Sequence, residues 1–545
     1  MRQRHFFWEP MLICCILFNL PSLAQEGFYL LAEMSGDSIS NQFCVVSHIG
    51  DINVDGYDDV IVGAPGGDYA KLFYGGETFD TIPDLIFRDY KEFNCQFGCS
   101  IAGGGDVNGD GYPDIIIGAS STYIGPNCPP LCLITGAAYV YFGGPDIDTT
   151  ADLTLIVGDW QTQTGWYYGF GDAVAIPGDL NGDGYDDIVV GAPNDDYDAH
   201  GRVYIYYGGP DIDTVYDVLL EGEEVFDNLG LSLSAIGDLN DDGFDDVLIG
   251  APMFENNIPG KPYQGGKAYL VYGGNDINIS NSIEFIGDTS SCNYGRFVSG
   301  LGDVNGDYVK DIGIMADKYF RIISGQNESI LLEISRINNW FGNFQNICGG
   351  DINNDNLNDI MISLEDTSNE YAGKVEIYLG RINLDSIPDY SIEGQTPHFD
   401  LGYSIAFLGD LNGDNKNEIS IGEQGERYTP PDTISSGNVY IYSYGENNAI
   451  NESDNSAPEG YKLFQNYPNP FNSTTRIRYS ILQLSNVVIK VFDILGNKVT
   501  TLVNEEKEQG VYTINFDANN LASGLYFYQL RAGNFIKTKK MILLR

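Results

Sequence analysis

A nine-residue acidic pattern, Asp-x-Asn-x-Asp-x-x-x-Asp/Glu, occurs seven times along the 545-residue chain. Self-similarity at intervals of 48 to 73 residues is typical of repeat architectures, in which every repeat is one supersecondary unit. This repeat constrains the fold more than the length or the composition does. The copies begin at Asp51, Asp106, Asp179, Asp238, Asp303, Asp351 and Asp410.

Short apolar runs and alternating aromatic segments follow the acidic copies. Residues 60–62 (Val-Ile-Val) follow the first copy, and residues 139–142 (Tyr-Val-Tyr-Phe) belong to the second unit. Period-two alternation between Gly-rich turns indicates β-strands, and the aromatic rings are expected to pack one unit on the next. Four strands in each unit of roughly 60 residues predict an all-β fold, a seven-bladed β-propeller. A solenoid of stacked units is the alternative.

The distribution of outer strands favours a closed ring over a solenoid. A candidate fourth strand follows each of units one to six, but unit seven ends at residues 440–442 without one. Residues 28–31 (Phe-Tyr-Leu-Leu) form a candidate strand at the other end of the chain. If the ring is closed by pairing the two ends of the chain, the N-terminal segment has to supply the fourth strand of the last unit. A solenoid has no such requirement.

Two further motifs accompany the acidic copies. Phe97-Gly98, Phe170-Gly171 and Phe341-Gly342 precede copies, and Gly-Ala-Pro or Gly-Ala-Ser turns follow the first four. The region from about residue 27 to residue 445 therefore resembles the FG-GAP repeats of integrin alpha-subunit propellers, although units five to seven lack Gly-Ala-Pro. The four turns begin at Gly63, Gly118, Gly191 and Gly250.

The acidic copies predict calcium-binding loops. Calcium takes six to eight oxygen ligands, and side chains at positions 1, 3, 5 and 9 of a tight loop, with the carbonyl of position 7, can supply them. The candidate ligands are Asp51, Asn53, Asp55, Asp59; Asp106, Asn108, Asp110, Asp114; Asp179, Asn181, Asp183, Asp187; Asp238, Asn240, Asp242, Asp246; Asp303, Asn305, Asp307, Asp311; Asp351, Asn353, Asp355, Asp359; and Asp410, Asn412, Asp414, Glu418.

Position 6 separates the first four copies from the last three. It is Gly in the first four, which permits a sharp turn, but Tyr308, Asn356 and Asn415 in the others. Tyr is poorly suited to a left-handed conformation, so the copy at Asp303 is expected to be the weakest site. Simple hairpin turns are the alternative interpretation. An EF-hand-like loop is disfavoured because position 12 is apolar in the first four copies, at Val62, Ile117, Val190 and Ile249.

Charge divides the chain into two modules. The formal net charge is −49, yet residues 25–457 hold 15 basic and 70 acidic residues while residues 458–545 hold 11 basic and 6 acidic ones. Such acidity excludes binding to nucleic acid and an electrostatic attachment to anionic lipid, both of which require basic surface. Divalent cations are the expected counterions of the acidic module.

Residues 1–24 have the features of a signal peptide: Arg2 and Arg4, an apolar core, and small residues before a predicted cleavage after Ala24. No later segment approaches the ~18 apolar residues of a membrane span, so no transmembrane segment is expected after cleavage. Seven cysteines remain, with Cys95/Cys99 and Cys128/Cys132 as close pairs. Export favours disulfides, with free thiols or zinc binding as alternatives.

The C-terminal module is predicted to be a small β-sandwich, with strands near residues 475–481, 487–492, 510–516, 524–530 and 536–543. A polar linker at residues 447–459 separates it, at residues 460–545, from the propeller at residues 25–446. Residues 466–472 (Asn-Tyr-Pro-Asn-Pro-Phe-Asn), 491–496 and 524–526 resemble the type A C-terminal sorting domain of type IX secretion. The resemblance implies the type IX machinery as a partner, passage across the outer membrane, and secretion or attachment at the cell surface.

No enzyme motif such as His-Glu-x-x-His or Gly-x-Ser-x-Gly is present in the sequence. The favoured function is an adhesion or ligand-binding propeller without enzyme activity, whose ligand is an extracellular protein or glycan. A surface hydrolase or lyase that acts on glycans through paired acids is the alternative. Long insertions at residues 120–136, 254–266 and 426–437 are predicted to place the ligand face opposite the calcium loops.

Overall fold

The structure is a computed structural model of the full chain. It describes residues 24–543 except for 26, 39–40, 89–94, 125–132, 135, 158–166, 196–199, 224–226, 255–264, 289–291, 336–343, 366–370, 396–398, 425–435, 446–460, 464–473, 495–496, 519–520 and 534. Outside the described residues lie nearly all of the predicted signal peptide, the predicted linker, Cys128, Cys132, Phe341-Gly342 and most of the three long insertions. The chain divides into two compact units, residues 1–447 and 448–545.

Within the described part of the first unit, there are seven sheets in which four strands lie side by side, each antiparallel to its neighbour. We number the sheets along the chain and the strands from first to fourth. The sheets are Val45–His48, Val60–Ala64, Tyr69–Phe73 and Leu85–Arg88 (sheet 1); Phe97–Gly105, Asp114–Ala119, Ala137–Tyr141 and Leu153–Leu155 (sheet 2); Ala173–Gly178, Asp187–Ala192, Arg202–Tyr206 and Val218–Glu221 (sheet 3); Ser232–Gly237, Asp246–Ala251, Lys267–Val271 and Ile283–Ile286 (sheet 4); Phe297–Gly302, Asp311–Met315, Tyr319–Ile323 and Ile330–Ser335 (sheet 5); Phe344–Gly350, Asp359–Leu364, Lys374–Tyr378 and Tyr390–Glu393 (sheet 6); and Leu401–Gly409, Glu418–Glu423, Asn438–Tyr444 and Phe28–Ser35 (sheet 7).

The remaining elements of this unit are short. Ala24–Gln25 adds a fifth strand to sheet 7, and two pairs of strands lie outside the seven sheets, Tyr123–Ile124 with Leu133–Ile134 and Tyr167–Tyr168 with Asn194–Asp195. Two single-turn 3₁₀ helices are described, Pro65–Gly67 and Ile279–Asn281.

The second strand of every sheet is buried along its whole length. A strand covered on both faces has no solvent side, which explains why these segments form continuous apolar runs in sheets 1 to 5 rather than alternating ones. The aromatic rings of the third strands are also buried, as at Tyr141, Tyr206 and Tyr269. These rings pack between sheets, as expected, and are not available as a stacking surface for sugars.

The seven sheets form a closed circuit. The first strand of each sheet contacts the first strand of the next, and that of sheet 7 contacts that of sheet 1. Seven apolar clusters lie between neighbouring sheets, and one of them joins Met34 and Ile441 of sheet 7 to Val60 and Tyr69 of sheet 1. The predicted all-β propeller architecture is confirmed.

The N-terminal segment completes the last sheet, as predicted. Phe28–Ser35 pairs with the third strand of sheet 7, with Phe28 opposite Tyr444 and Ser35 opposite Asn438. The first and last parts of the propeller are therefore joined by backbone hydrogen bonds. The predicted outer strands of the other six sheets are also present, each extending the predicted segment by up to three residues.

The two glycine motifs meet between sheets. A Cβ atom at Gly63 of sheet 1 would clash with the carbonyl oxygen of Gly98 in sheet 2, and the same applies to Gly118 and Gly171 in the next pair. Gly98 has φ +87° and Gly171 has φ +85°, a region that favours glycine. The glycines of the two motifs therefore allow the backbones of neighbouring sheets to approach closely.

The C-terminal unit has two sheets around one apolar core. One sheet contains Lys462–Leu463, Thr474–Ile481 and Gly510–Asp517, and the other contains Lys498–Lys507, Ser485–Asp493, Gly524–Ala532 and Phe535–Leu543. Side chains from both sheets share the core, which gives the predicted sandwich. Lys498–Lys507 was not predicted as a strand, since its sequence lacks clear alternation.

Cys99 is a free thiol, so the pair Cys95 and Cys99 is not bridged by a disulfide. None of the helices in the described ranges is long and apolar enough to cross a membrane.

Candidate calcium-binding loops

Each acidic copy forms the connection between the first and second strands of one sheet. We call these connections loops 1 to 7 and number their positions 1 to 9. Asp51–Asp59 thus precedes the buried strand Val60–Ala64, and in the other six sheets position 9 is the first residue of the second strand. Because the seven connections are topologically equivalent, all seven lie at the same end of the propeller.

The carboxylate of position 1 organises its own loop. In loop 1 the N–H of Gly56 donates to Asp51 Oδ2 (2.7 Å) and the N–H of Asp55 donates to Asp51 Oδ1 (2.9 Å). Asp55 Oδ1 in turn accepts from the N–H of Tyr57 (3.1 Å). The same three hydrogen bonds recur in loops 2 to 7. Seven different sequences therefore adopt one loop conformation.

Position 6 is left-handed in every loop. Its φ is between +91° and +93° at the four glycines, +69° at Tyr308, +70° at Asn356 and +62° at Asn415. The side chain of Tyr308 is 96% exposed, so its bulk meets solvent rather than the loop. Loop 5 keeps the backbone geometry of the other loops, but a non-glycine residue in this region costs about 1–2 kcal/mol. That the copy at Asp303 is the weakest calcium site stays a prediction.

The carboxylate of position 9 is buried and fixes the loop to a second connection. Asp59 accepts from the N–H of Ile52 (2.9 Å) and from the N–H of Gly75 (2.7 Å), which lies in the turn between the third and fourth strands. Loops 2 to 6 repeat this arrangement. In loop 7 the longer Glu418 accepts from Leu411 N–H and from the Asn412 amide.

Burial raises the pKa of every position-9 carboxyl, and the carboxylates at positions 5 and 1 of the same loop raise it further. The pKa is raised to about 7 at Asp59, Asp114, Asp187 and Asp311, to about 6 at Asp246 and Asp359, and to about 8 at Glu418. None of the ion pairs in the described residues links a carboxylate of positions 1, 5 or 9 to Lys or Arg. Each loop therefore concentrates negative charge without a basic partner.

The side chain of position 3 lies close to that of position 5 in loop 1 and to that of position 9 in loops 5 and 7. Asn53 Nδ2 is 3.2 Å from Asp55 Oδ2, Asn305 Nδ2 is 3.1 Å from Asp311 Oδ2, and Asn412 Nδ2 is 2.8 Å from Glu418 Oε1. In the part of the chain that the structure describes, no three His, Cys, Asp or Glu side chains form a ready-made ion cage. The donor set nevertheless fits calcium, because it consists of carboxylate and amide oxygens on one short loop.

Sequence reasoning missed two partners of the loops. The first is the glycine of the third-to-fourth-strand turn, such as Gly75, whose signal is a Gly-Gly pair or a single glycine after each aromatic strand. The second is position 8, which contacts the preceding loop and varies in residue type, so its role gives no sequence signal. The turns between the third and fourth strands also carry a second acidic motif, Asp-Ser/Thr-x-x-Asp, in sheets 1, 2, 3 and 6.

Family models match both units. The FG-GAP repeat model matches residues 47–79, 97–129, 170–206 and 230–271, in sheets 1 to 4, and the secretion system C-terminal sorting domain model matches residues 465–544. The chain therefore carries FG-GAP repeats in its propeller and a type IX sorting domain at its C-terminal end. This sorting domain directs export to the cell surface or beyond.

The chain is also similar to curated integrin alpha proteins. The chain is 30% identical to integrin alpha-5 of Xenopus laevis over 264 residues, which are 45% of this chain and 24% of that protein. It is 26% identical to integrin alpha-2 of Bos taurus over 317 residues, 55% of this chain and 24% of that one. The chain thus spans about a quarter of the length of these relatives. The FG-GAP repeats and the sorting domain together support a secreted or surface-displayed propeller.

Proposed function

We propose that this protein is a calcium-binding, seven-bladed propeller that acts as an adhesion or ligand-binding module and has no enzyme activity. The observation that carries the calcium part is the common geometry of the seven loops. Loops that differ at positions 2, 4, 6, 7 and 8 keep the same hydrogen bonds around the same oxygen-bearing side chains. Hairpin turns alone do not require a buried carboxylate at position 9.

The ligands would be the side chains of positions 1, 3, 5 and 9, with the carbonyl of position 7. A bound calcium ion would supply positive charge to the three carboxylates of each loop. The chain's own residues hold these oxygens in place, since position 1 is held by two N–H groups of its loop and position 9 by N–H groups from two connections. In sheets 1 to 6, calcium would thereby link these two connections.

The charge of the propeller supports the same proposal. A net charge of −55 over residues 25–457 destabilises a compact unit by self-repulsion, and each calcium ion offsets two charges. Binding to the native state alone adds about 2.7 kcal/mol for each independent site at a free concentration of about 100 Kd.

Calcium counting tests this assignment. Native mass spectrometry of the exported chain is expected to show up to one calcium ion per loop, and Asp183→Ala is expected to remove one ion. Glu77→Ala is the matched control, since it removes an exposed carboxylate outside the loops and leaves the count unchanged. A chain that binds no calcium at millimolar concentration, or an Asp183→Ala variant with the parent count, contradicts the proposal.

The ligand is proposed to be an extracellular protein or glycan that binds at the end opposite the loops. The loops and the turns that bear Gly75 and its equivalents share one end, so the second-to-third-strand connections lie at the other. The three longest of these connections contain the insertions predicted to bind the ligand. Glycan arrays and glycan-hydrolysis assays on the same sample separate a binding protein from a glycan-active enzyme.

We also propose the domain limits: a signal peptide at residues 1–24, a linker at 447–459 and a separately folded sorting domain at 460–545. A chain that ends at Asn448 is expected to keep the thermal transition of the propeller and to remain inside the native host. Export of this truncated chain at the parent level would contradict the assignment of the tail.

A further inference from the structure

Each calcium-binding loop contacts the sheet that follows it in the ring. The contact is made by position 8 of the following loop, which we call the reach-back residue. Asp186 Oδ2 accepts from the N–H of Asp106 (2.8 Å), and Asp245 Oδ2 accepts from the N–H of Asp179 (2.9 Å). Position 1 of loops 2 and 3, which organises each loop, is thus fixed by a carboxylate from the next sheet.

The same contact closes the ring between loop 7 and sheet 1. Asp58 Oδ2 accepts from the N–H of Asp410 (2.7 Å), although these residues are 352 positions apart in the chain. His48 Nε2 lies 3.3 Å from the other oxygen of Asp58, and this contact lowers the pKa of Asp58. The reach-back contact is therefore a property of the ring and not of neighbouring sequence.

Backbone hydrogen bonds reinforce the contact. The N–H of Asp186 donates to the carbonyl of Asp106 (3.3 Å), and the N–H of Gly209 in the same sheet donates to the carbonyl of Val107 (2.8 Å). Equivalent pairs of backbone hydrogen bonds hold loop 3 to sheet 4 and loop 7 to sheet 1. A shift of the reach-back residue would therefore move the first two residues of the preceding loop.

This contact fills the space beside the glycines that precede loops 2, 3 and 7. A Cβ atom at Gly178 would clash with Asp245 Oδ2, one at Gly409 would clash with Asp58 Oδ2, and one at Gly105 would lie 2.8 Å from Asp186 Oδ2. The place that a side chain would take beside position 1 is filled by the next sheet. The loop's own hydrogen bonds do not require this glycine.

The residue type at the reach-back position differs between loops, so the loops of one ring can be compared with one another. It is Asp for loops 2, 3 and 7, and Asn for loops 5 and 6, where Asn417 Nδ2 donates to the carbonyl of Asp351. For loop 1 it is Pro113, which has no side-chain acceptor. For loop 4 it is Lys310, whose ammonium group occupies the space beside Gly237.

We propose that the reach-back residue is a positioning residue that sets the calcium affinity of the preceding loop. The inference rests on the proposed calcium function and adds that a site in one sheet is completed by the next. A carboxylate fixes the main chain of position 1 and adds negative charge beside the site without being a ligand. Loops 2, 3 and 7 are therefore expected to bind calcium most tightly, and loop 4, beside an ammonium group, least tightly among the first four.

The test combines substitutions of the reach-back residue with substitutions that abolish the calcium site of a single loop. Asp186→Ala is expected to weaken loop 2 about 10-fold, the lower end of the range for residues that orient metal ligands. Calcium titration, with the bound ions counted by native mass spectrometry, should show this loss of affinity in the parent. It should also show it in the Asp183→Ala background, in which the calcium site of loop 3 is abolished. The loss should disappear in the Asp110→Ala background, which lacks loop 2.

Two further variants separate positioning from misfolding. Asp186→Asn keeps an acceptor for Asp106 N–H and is expected to recover part of the affinity. Lys310→Asp, at an exposed position, is expected to tighten loop 4 about 10-fold, a gain that a damaged fold cannot produce. Glu77→Ala, which removes an exposed carboxylate outside the loops, is the control and should leave the affinity of every loop unchanged.

The outcomes distinguish this inference from the calcium proposal. A parent that binds no calcium overturns both. A parent that binds calcium, with Asp186→Ala and Lys310→Asp at parent affinity, overturns the inference alone. A loss in Asp186→Ala that disappears when loop 3 is removed, instead of loop 2, also overturns it, because Asp186 would then act on its own loop.

Discussion

Residues 25–457 carry 70 acidic and 15 basic side chains, whereas residues 458–545 carry 6 acidic and 11 basic ones. Their interiors differ as well. The propeller has seven apolar clusters, one between each pair of neighbouring sheets, and the C-terminal unit has one cluster shared by its two sheets. The propeller therefore depends on repeated contacts and on neutralisation of charge, while the tail depends on one core.

The comparison predicts that ring closure matters only to the propeller. Deleting residues 25–35 removes the fourth strand of sheet 7 and the buried side chains of Phe28 and Met34, which leaves an unpaired edge. We expect aggregation or loss of the propeller's calorimetric transition, with the transition of the tail retained. Deletion of residues 447–457 in the predicted linker is the control. A ring that melts at the parent temperature without the strand would contradict closure by this segment.

Chelation is expected to have the next largest effect, again on one unit. EGTA should lower the melting temperature of the propeller by about 5 °C for every saturated site, since each such site contributes about 2.7 kcal/mol and each kcal/mol moves the transition of a large domain by about 2 °C. The transition of the tail should not move. EGTA preloaded with calcium is the control, and equal shifts of both transitions would argue against calcium in the loops.

A core substitution in the tail should give the reverse pattern. Ile489 is fully buried, and Ile489→Ala is expected to cost about 2–5 kcal/mol through lost burial and the cavity left behind. Calorimetry should show a lower transition for the tail and an unchanged one for the propeller. Val488→Ala, on the opposite face of the same strand, is the matched control with a smaller expected cost.

The smallest expected effect concerns one loop. Tyr308→Gly replaces a left-handed tyrosine whose side chain is exposed, and it should stabilise the calcium-free propeller by about 1 kcal/mol. Asn356→Gly should give a smaller gain, because Asn tolerates this region better. A loss of stability in Tyr308→Gly would show that the tyrosine contributes contacts that outweigh the backbone strain.

Much of the fold was predictable because its signals are local. Alternation, glycine turns and the missing fourth strand of unit seven predicted the strands and the use of residues 28–31, which pair with the end of the propeller. The strand Lys498–Lys507 was missed because polar and apolar residues do not alternate along it. The acidic loops were also predictable as compact turns, since positions 1 to 9 close on themselves within one short segment. Their role as calcium ligands stays a prediction.

Contacts between repeats were not predictable from the spacing of residues. Asp58 and Asp186 both look like further acidic residues of their own loops, yet their carboxylates hold Asp410 and Asp106 in other sheets. The sequence by itself determined most of the strands, the acidic loops and the export tail, because these depend on residues close together in the chain. Only the tertiary structure decided which sheet contacts which loop, because closure of the ring brings together groups as far as 352 residues apart.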